Sequence, residues 1–120
     1  MLLQIRKTCE YMKIRFRQSG ALPGQERVAY LLTCAVRECV TNAVRYAEAT
    51  ELHAAFTENE TEATVTVTNN GKIPEREIVE GGGLSTLRRR VERAGGVMTV
   101  QSFPEFKLTV TVHKEKEGVL

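Results

Sequence analysis

Ala63-Thr64-Val65-Thr66-Val67-Thr68-Asn69-Asn70-Gly71 alternates apolar and hydroxyl side chains for six residues and then breaks into turn residues. A period of two marks a strand with one buried and one wet face, and Asn-Asn-Gly is turn chemistry. The alternation recurs to either side. Upstream, Leu52, Ala54 and Phe56 form one set, and Met12, Ile14 and Phe16 alternate with Lys13, Arg15 and Arg17. Downstream, Leu108, Val110 and Val112 alternate with Thr109 and Thr111, and a weaker strand is expected at about 97–102. Strands that alternate, instead of running continuously apolar, expect helices on one face of the sheet only. The short polar connections Glu58-Asn59-Glu60-Thr61 and Phe103-Pro104-Glu105 suit hairpins better than crossovers, so the sheet is expected to be mostly antiparallel.

Between these strands the period changes. From Arg27 to about Ala47, residues Val28, Leu32, Ala35, Val36, Cys39, Val40 and Ala43 return every three or four positions, the spacing of a core helix. A second helix is expected from Leu84 to Ala94, with Leu84, Leu87, Val91 and Ala94 on one side and Gly95-Gly96 as a left-handed cap. Residues 72–82 contain Pro74 and end in glycines, which predicts a mobile loop and a candidate lid.

At 120 residues and a net charge of +2, the chain is one domain with no general electrostatic pull toward nucleic acid. Arg88-Arg89-Arg90 with Arg93 reads as a solvated helix face. Cys9, Cys34 and Cys39 lack C-x-x-C spacing and imply buried thiols in a reducing compartment. No apolar run reaches the ~20 residues that span a bilayer, and no signal peptide follows Arg6 and Lys7, so the chain is expected to be soluble and without direct membrane contact. A domain this small is expected to be a piece of a longer protein, with residues 1–8 the tail of an upstream helix.

Three polar or glycine-rich stations stand where helices and strands end. On the first helix, Glu38, Asn42 and Arg45 fall on one stripe at the border of the apolar arc. Magnesium takes oxygen ligands, keeps several waters and needs only one or two protein groups beside phosphates, so the Asn42 amide oxygen suffices as a ligand. Glu38, one turn earlier, is placed to orient or deprotonate the group that attacks a γ-phosphate. At the second station, Asn69 can read adenine with its amide oxygen and NH2, and Gly71 lets backbone pass close to the base. At the third, Gly81-Gly82-Gly83 opens a helix whose unpaired amides suit phosphates. No P-loop motif and no dinucleotide fingerprint is present.

Taken in order, Arg37-Glu-Cys-Val-Thr-Asn-Ala-Val-Arg-Tyr-Ala47, Val65-Thr-Val-Thr-Asn-Asn-Gly71 and Gly81-Gly-Gly-Leu-Ser-Thr-Leu-Arg-Arg-Arg-Val-Glu-Arg-Ala-Gly-Gly96 resemble the ATP-binding domain of sensor histidine kinases in the GHKL ATPase superfamily, over roughly residues 20–112. The resemblance implies a two-layer α/β sandwich of the Bergerat type, with a mostly antiparallel mixed sheet and helices on one face. It implies ATP and Mg2+ as cofactors. Glu38 and Asn42 then belong to the family's N box, with Asn42 on the metal and Glu38 as base or polariser. Arg45 and Tyr46 follow on the same helix. Asn69, Gly71 and Ile73 fall in the first glycine box, and Gly81, Gly82, Gly83 and Leu84 in the second, which wraps the phosphates. Three positions depart from the family pattern: Asn69 replaces an aspartate that binds adenine, Ile73 stands where a glycine is frequent, and Tyr46 where histidine is common. Loss of the carboxylate is expected to weaken adenine binding or to change how it is made.

Such a kinase also needs a histidine acceptor on a helix. His53 falls in an expected strand and His113 just past the last one, so neither serves. The resemblance therefore implies the catalytic half of a two-component kinase, in a cytoplasmic domain. Its partners would be a histidine-bearing dimerisation domain of the same protein and a response regulator. Two other functions share the pocket: a serine kinase of the anti-sigma type, and a degenerate nucleotide module that signals by binding a partner.

Overall fold

The computed structural model describes residues 2–72 and 82–115, Tyr46 by its backbone alone. Helix α1 (Leu2–Tyr11) leads into strand β1 (Arg15–Ser19), helix α2 (Glu26–Asn42) and a π-helical turn (Ala43–Ala47). Strands β2 (Glu51–Glu58) and β3 (Glu62–Asn69) follow, then helix α3 (Gly83–Arg93) and strands β4 (Val97–Gln101) and β5 (Lys107–His113). The sheet order is β1-β2-β3-β5-β4, with β1 parallel to β2 and the other three pairings antiparallel.

The alternation seen in the sequence is the alternation of burial. Leu52, Ala54, Phe56, Ala63, Val65, Val67, Leu108, Val110 and Val112 all face the core. Their neighbours Thr64, Thr66, Thr109 and Thr111 are only half buried on the other face, where the Thr64 and Thr111 hydroxyls meet at 3.0 Å. Against the apolar face lie Val28, Leu31, Leu32, Ala35, Val36, Cys39 and Val40 of α2, and Leu84, Leu87 and Val91 of α3. This is the expected two-layer arrangement, with one face of the sheet covered and one open.

Two boundaries differ from the sequence reading. The strand expected from Met12 begins only at Arg15, because α1 ends in a left-handed turn at Lys13 (φ 59°). The Lys13 N–H reaches Glu10 O (3.1 Å) and the Ile14 N–H reaches Cys9 O (2.8 Å), a Schellman closure made without glycine. Buried Ile14 and Cys9 supply its apolar contact. The second difference is the end of the long helix, which widens into the π turn after Asn42 and stops at Glu48 (φ 50°). The cap expected at Gly95-Gly96 is present: Gly95 has φ 77°, its N–H donates to Glu92 O (3.0 Å), and the Gly96 N–H donates to Val91 O (2.9 Å).

At its other end α2 has no side-chain cap. Gln25 ties it instead to the chain after β5, giving Nε2–H to Glu115 O (2.8 Å) and accepting the Glu115 N–H at Oε1 (2.7 Å). His113 is the last residue of β5, and His53 lies within β2 with its Nε2 2.7 Å from Ser19 Oγ. All three cysteines are free and buried. Among the described residues, no helix is long and apolar enough to cross a membrane.

Candidate functional site

The described parts of the three stations lie along the carboxyl-terminal half of α2 and the π turn that follows it. Glu38 and Asn42 are half buried there, one turn apart, at the edge of the apolar stripe. Arg45 falls in the π turn and is exposed. A π turn has more residues per turn than an α-helix, so Arg45 does not continue the straight stripe of Glu38 and Asn42.

Glu38 reaches across to the amino terminus of α3. A Cβ built on Gly83 would overlap the Glu38 carboxylate, lying 2.5 Å from its Cδ. The glycine at this position therefore makes room for the acid. Gly82 precedes it at φ 53°, ψ −118°, outside the range of ordinary L residues, and turns the chain into the helix. Leu84 is buried and anchors that first turn in the core. A carboxylate beside unpaired helix amides is electrostatically favourable. The neighbouring Cys39 thiol is pushed far above its ordinary value, first by complete burial and then by the Glu38 charge.

The second station is built against the other side of the π turn. Gly71 passes so close to Ala47 that an added Cβ would meet its carbonyl oxygen and lie 2.6 Å from its Cβ. The Lys72 N–H donates to the same carbonyl at 2.8 Å, and Lys72 Nζ lies 3.1 Å from Glu48 Oε1. Asn69 ends β3, is 8% exposed, and accepts the Gly71 N–H at Oδ1 (2.8 Å). Asn70, to which the sequence assigned no separate role, fixes the turn from the opposite side. Its Oδ1 accepts the Thr50 N–H (2.9 Å) and the Glu51 N–H (2.8 Å), while its Nδ2 donates to Thr50 Oγ1 (2.8 Å). Nothing in the sequence signals a bond between residues twenty positions apart; Asn-Asn-Gly shows only that a turn is present.

Ile73 and Gly81, with nearly all of the lid expected over 72–82, lie outside the described residues, as does the Tyr46 side chain. Among the described residues no group of three or more His, Cys, Asp and Glu side chains could hold a metal.

The arginine cluster divides. Arg88 is half buried and donates Nη1–H to Met98 O (2.9 Å), whereas Arg89, Arg90 and Arg93 are exposed. Arg90 and Arg93 line a shallow groove of about 290 Å3 with Arg27, Tyr30, Leu31 and Ala94. It lies at the start of α2, at the opposite end of that helix from Glu38 and Asn42.

The family of histidine kinase-, DNA gyrase B-, and HSP90-like ATPases matches residues 28–118. The histidine kinase domain of a blue-light activated histidine kinase from Erythrobacter litoralis has the same fold, with a TM-score of 0.72 at 19% identity. That match covers 92% of this chain and 58% of the other. The histidine kinase AdeS of Acinetobacter baumannii gives a TM-score of 0.72 at 13% identity, covering 95% of this chain and 61% of AdeS. The ATP-binding domain of PrrB from Mycobacterium tuberculosis gives 0.68 at 16% identity, covering 93% and 88%. The chain thus spans only part of the first two proteins and most of the isolated ATP-binding domain.

Proposed function

The chain belongs to the histidine kinase-, DNA gyrase B-, and HSP90-like ATPase family, and from that premise we propose that it is the catalytic domain of a two-component sensor kinase, binding ATP with Mg2+. The observation that carries this reading is the contact between the Glu38 carboxylate and Gly83. It joins the helix that would hold the metal to the helix end that would hold phosphate. The residues suit the group: an amide oxygen from Asn42 for the metal, the Glu38 carboxylate one turn away, and a helix terminus bordered by Gly82 and Gly83.

Bound MgATP supplies the γ-phosphoryl group. Asn42 would offer its Oδ1 to the metal and its amide NH2 to phosphate oxygens or water. Glu38 holds a negative charge beside the entering nucleophile's position and accepts or orients its proton. Gly82 and Gly83 leave the α3 amides open, and Leu84 fixes the angle of that helix. Asn69 faces the edge of the base, and Gly71, held on Ala47, lets the backbone pass close to it. The acceptor is a histidine on a dimerisation domain of the same protein, and an aspartate on a response regulator is the later destination. His53 is engaged with Ser19 on the open sheet face and belongs to neither role.

Calorimetric titration with ATP, with and without Mg2+, tests the pocket. Asn42→Ala is expected to abolish magnesium-dependent binding and leave the melting temperature nearly unchanged, because the side chain lies at the rim of the core. Undiminished affinity in that variant removes the metal assignment. Glu38→Gln in the full-length protein is expected to bind nucleotide and lose phosphotransfer by a factor of about 10²–10⁴. Full transfer by that variant removes Glu38 from the chemistry.

A further inference from the structure

The orientation of the Asn69 amide is fixed by its neighbours. The Gly71 N–H can only donate, so the atom it meets at 2.8 Å is the oxygen of Asn69, and the NH2 must be on the other side. The turn cannot rotate to exchange them. Gly71 is pressed on Ala47, Lys72 is bonded to the Ala47 carbonyl, and Asn70 is bonded to the Thr50 and Glu51 amides. The only hydrogen bond that the Asn69 side chain makes among the described residues is the one from Gly71. No buried side-chain nitrogen or oxygen among them lacks a partner, so Nδ2 is not sealed in the core and reaches solvent. A residue only 8% exposed thus keeps two N–H donors without a partner among the described residues, on the side of its amide away from Gly71.

An aspartate at this position, the residue the family uses, keeps the same bond to the Gly71 N–H through one oxygen and presents an acceptor with the other. The asparagine inverts that second atom. Adenine carries an amine at its 6-position, so a donor there meets a donor, and only the ring nitrogen N1 can accept from Nδ2 after a shift of the base. A 6-oxo purine places an oxygen acceptor at the same point and meets Nδ2 directly. A site whose polar group is matched by one base and opposed by another discriminates between them, because the mismatched donors lose their water without replacement.

We infer that Asn69 has removed this pocket's preference for adenine, so that it takes 6-oxo purine nucleoside triphosphates at least as tightly as ATP. The inference rests on the nucleotide reading of the site and deepens it, by naming the class of base. ITP is the proper probe because its base differs from that of ATP only at the 6-position and the adjoining N1, whereas GTP adds an amine at the 2-position.

Titration of the full chain with ATP, ITP and GTP in excess Mg2+, beside Asn69→Asp, tests it. The native chain is expected to bind ITP as tightly as ATP or more so, and Asn69→Asp is expected to move the ATP-to-ITP affinity ratio at least tenfold toward ATP. Matching melting temperatures would show that the turn survives, since aspartate also accepts the Gly71 N–H. A native chain that binds ATP more than threefold tighter than ITP overturns the inference and keeps the pocket. So does an unchanged ratio in Asn69→Asp, or a native chain that binds none of the three nucleotides while that variant binds ATP. Absence of binding by either protein to any of the three nucleotides overturns the nucleotide reading itself.

Discussion

Gly83 and Gly71 both stand where a side chain has no room, yet the two obstacles differ in kind. At Gly83 the obstacle is the far end of the flexible Glu38 side chain, and at Gly71 it is the backbone and Cβ of Ala47. Gly83→Ala is therefore expected to change stability by less than about 1 kcal/mol, since helix propensity favours alanine and the carboxylate can swing aside. The same swing takes Glu38 from its working position, so phosphotransfer is expected to fall as in Glu38→Gln. Gly71→Ala is expected to lose about 1–3 kcal/mol, because the π turn must move. Thermal unfolding and turnover of the two variants check this together; an active Gly83→Ala would separate Glu38 from the chemistry. At this scale the sequence disclosed which residue types meet at the site but not their contacts. Glu38 and Gly83 are distant in sequence and joined only by packing, and the Asn70 bracket has no local signature.

At the scale of elements, periodicity located the strands and helices, and local backbone conformation moved their ends. The apolar alternation from Met12 runs unbroken into β1, so nothing in hydropathy reveals that Lys13 adopts φ 59° and delays the strand to Arg15. The widening after Asn42 is equally silent, because Ala43, Val44 and Ala47 fit an α-helix and a π turn alike. Gly95 was legible because its residue type and its conformation agree. Gly95→Ala meets no neighbouring atom within 4 Å, so its expected cost is that of the left-handed conformation alone, about 1–2 kcal/mol. Thermal melting checks this, and an unchanged midpoint would mean that α3 ends equally well without its cap.

At the scale of the whole molecule, the core responds to alkaline pH through its thiols. Burial and the Glu38 charge raise Cys39 well above its ordinary value of 9.0, and burial raises Cys9. Above about pH 9 the unfolded chain releases these protons while the folded chain keeps them, so stability falls as pH rises. For Cys39 alone the slope approaches about 1.4 kcal/mol per pH unit. Denaturant titrations between pH 8 and 10.5 are expected to show the decline, and Cys39→Ala to flatten it. An identical slope in that variant would place the titration elsewhere. Burial of the cysteines was expected from their place in an apolar helical pattern, whereas the proximity of Glu38 to Cys39 follows simply from adjacency in the chain.

The peptide unit at Thr50 has two attachments that belong to different parts of the molecule. Its carbonyl receives the Arg15 N–H at 2.8 Å, at the start of β1, and its N–H, that of Glu51, is held by Asn70 beside Asn69. A shift of α1 that moves Arg15 therefore bears on the same peptide that holds the Asn69–Asn70 turn, as well as on the pairing of β1 with β2 along Arg15–Ser19.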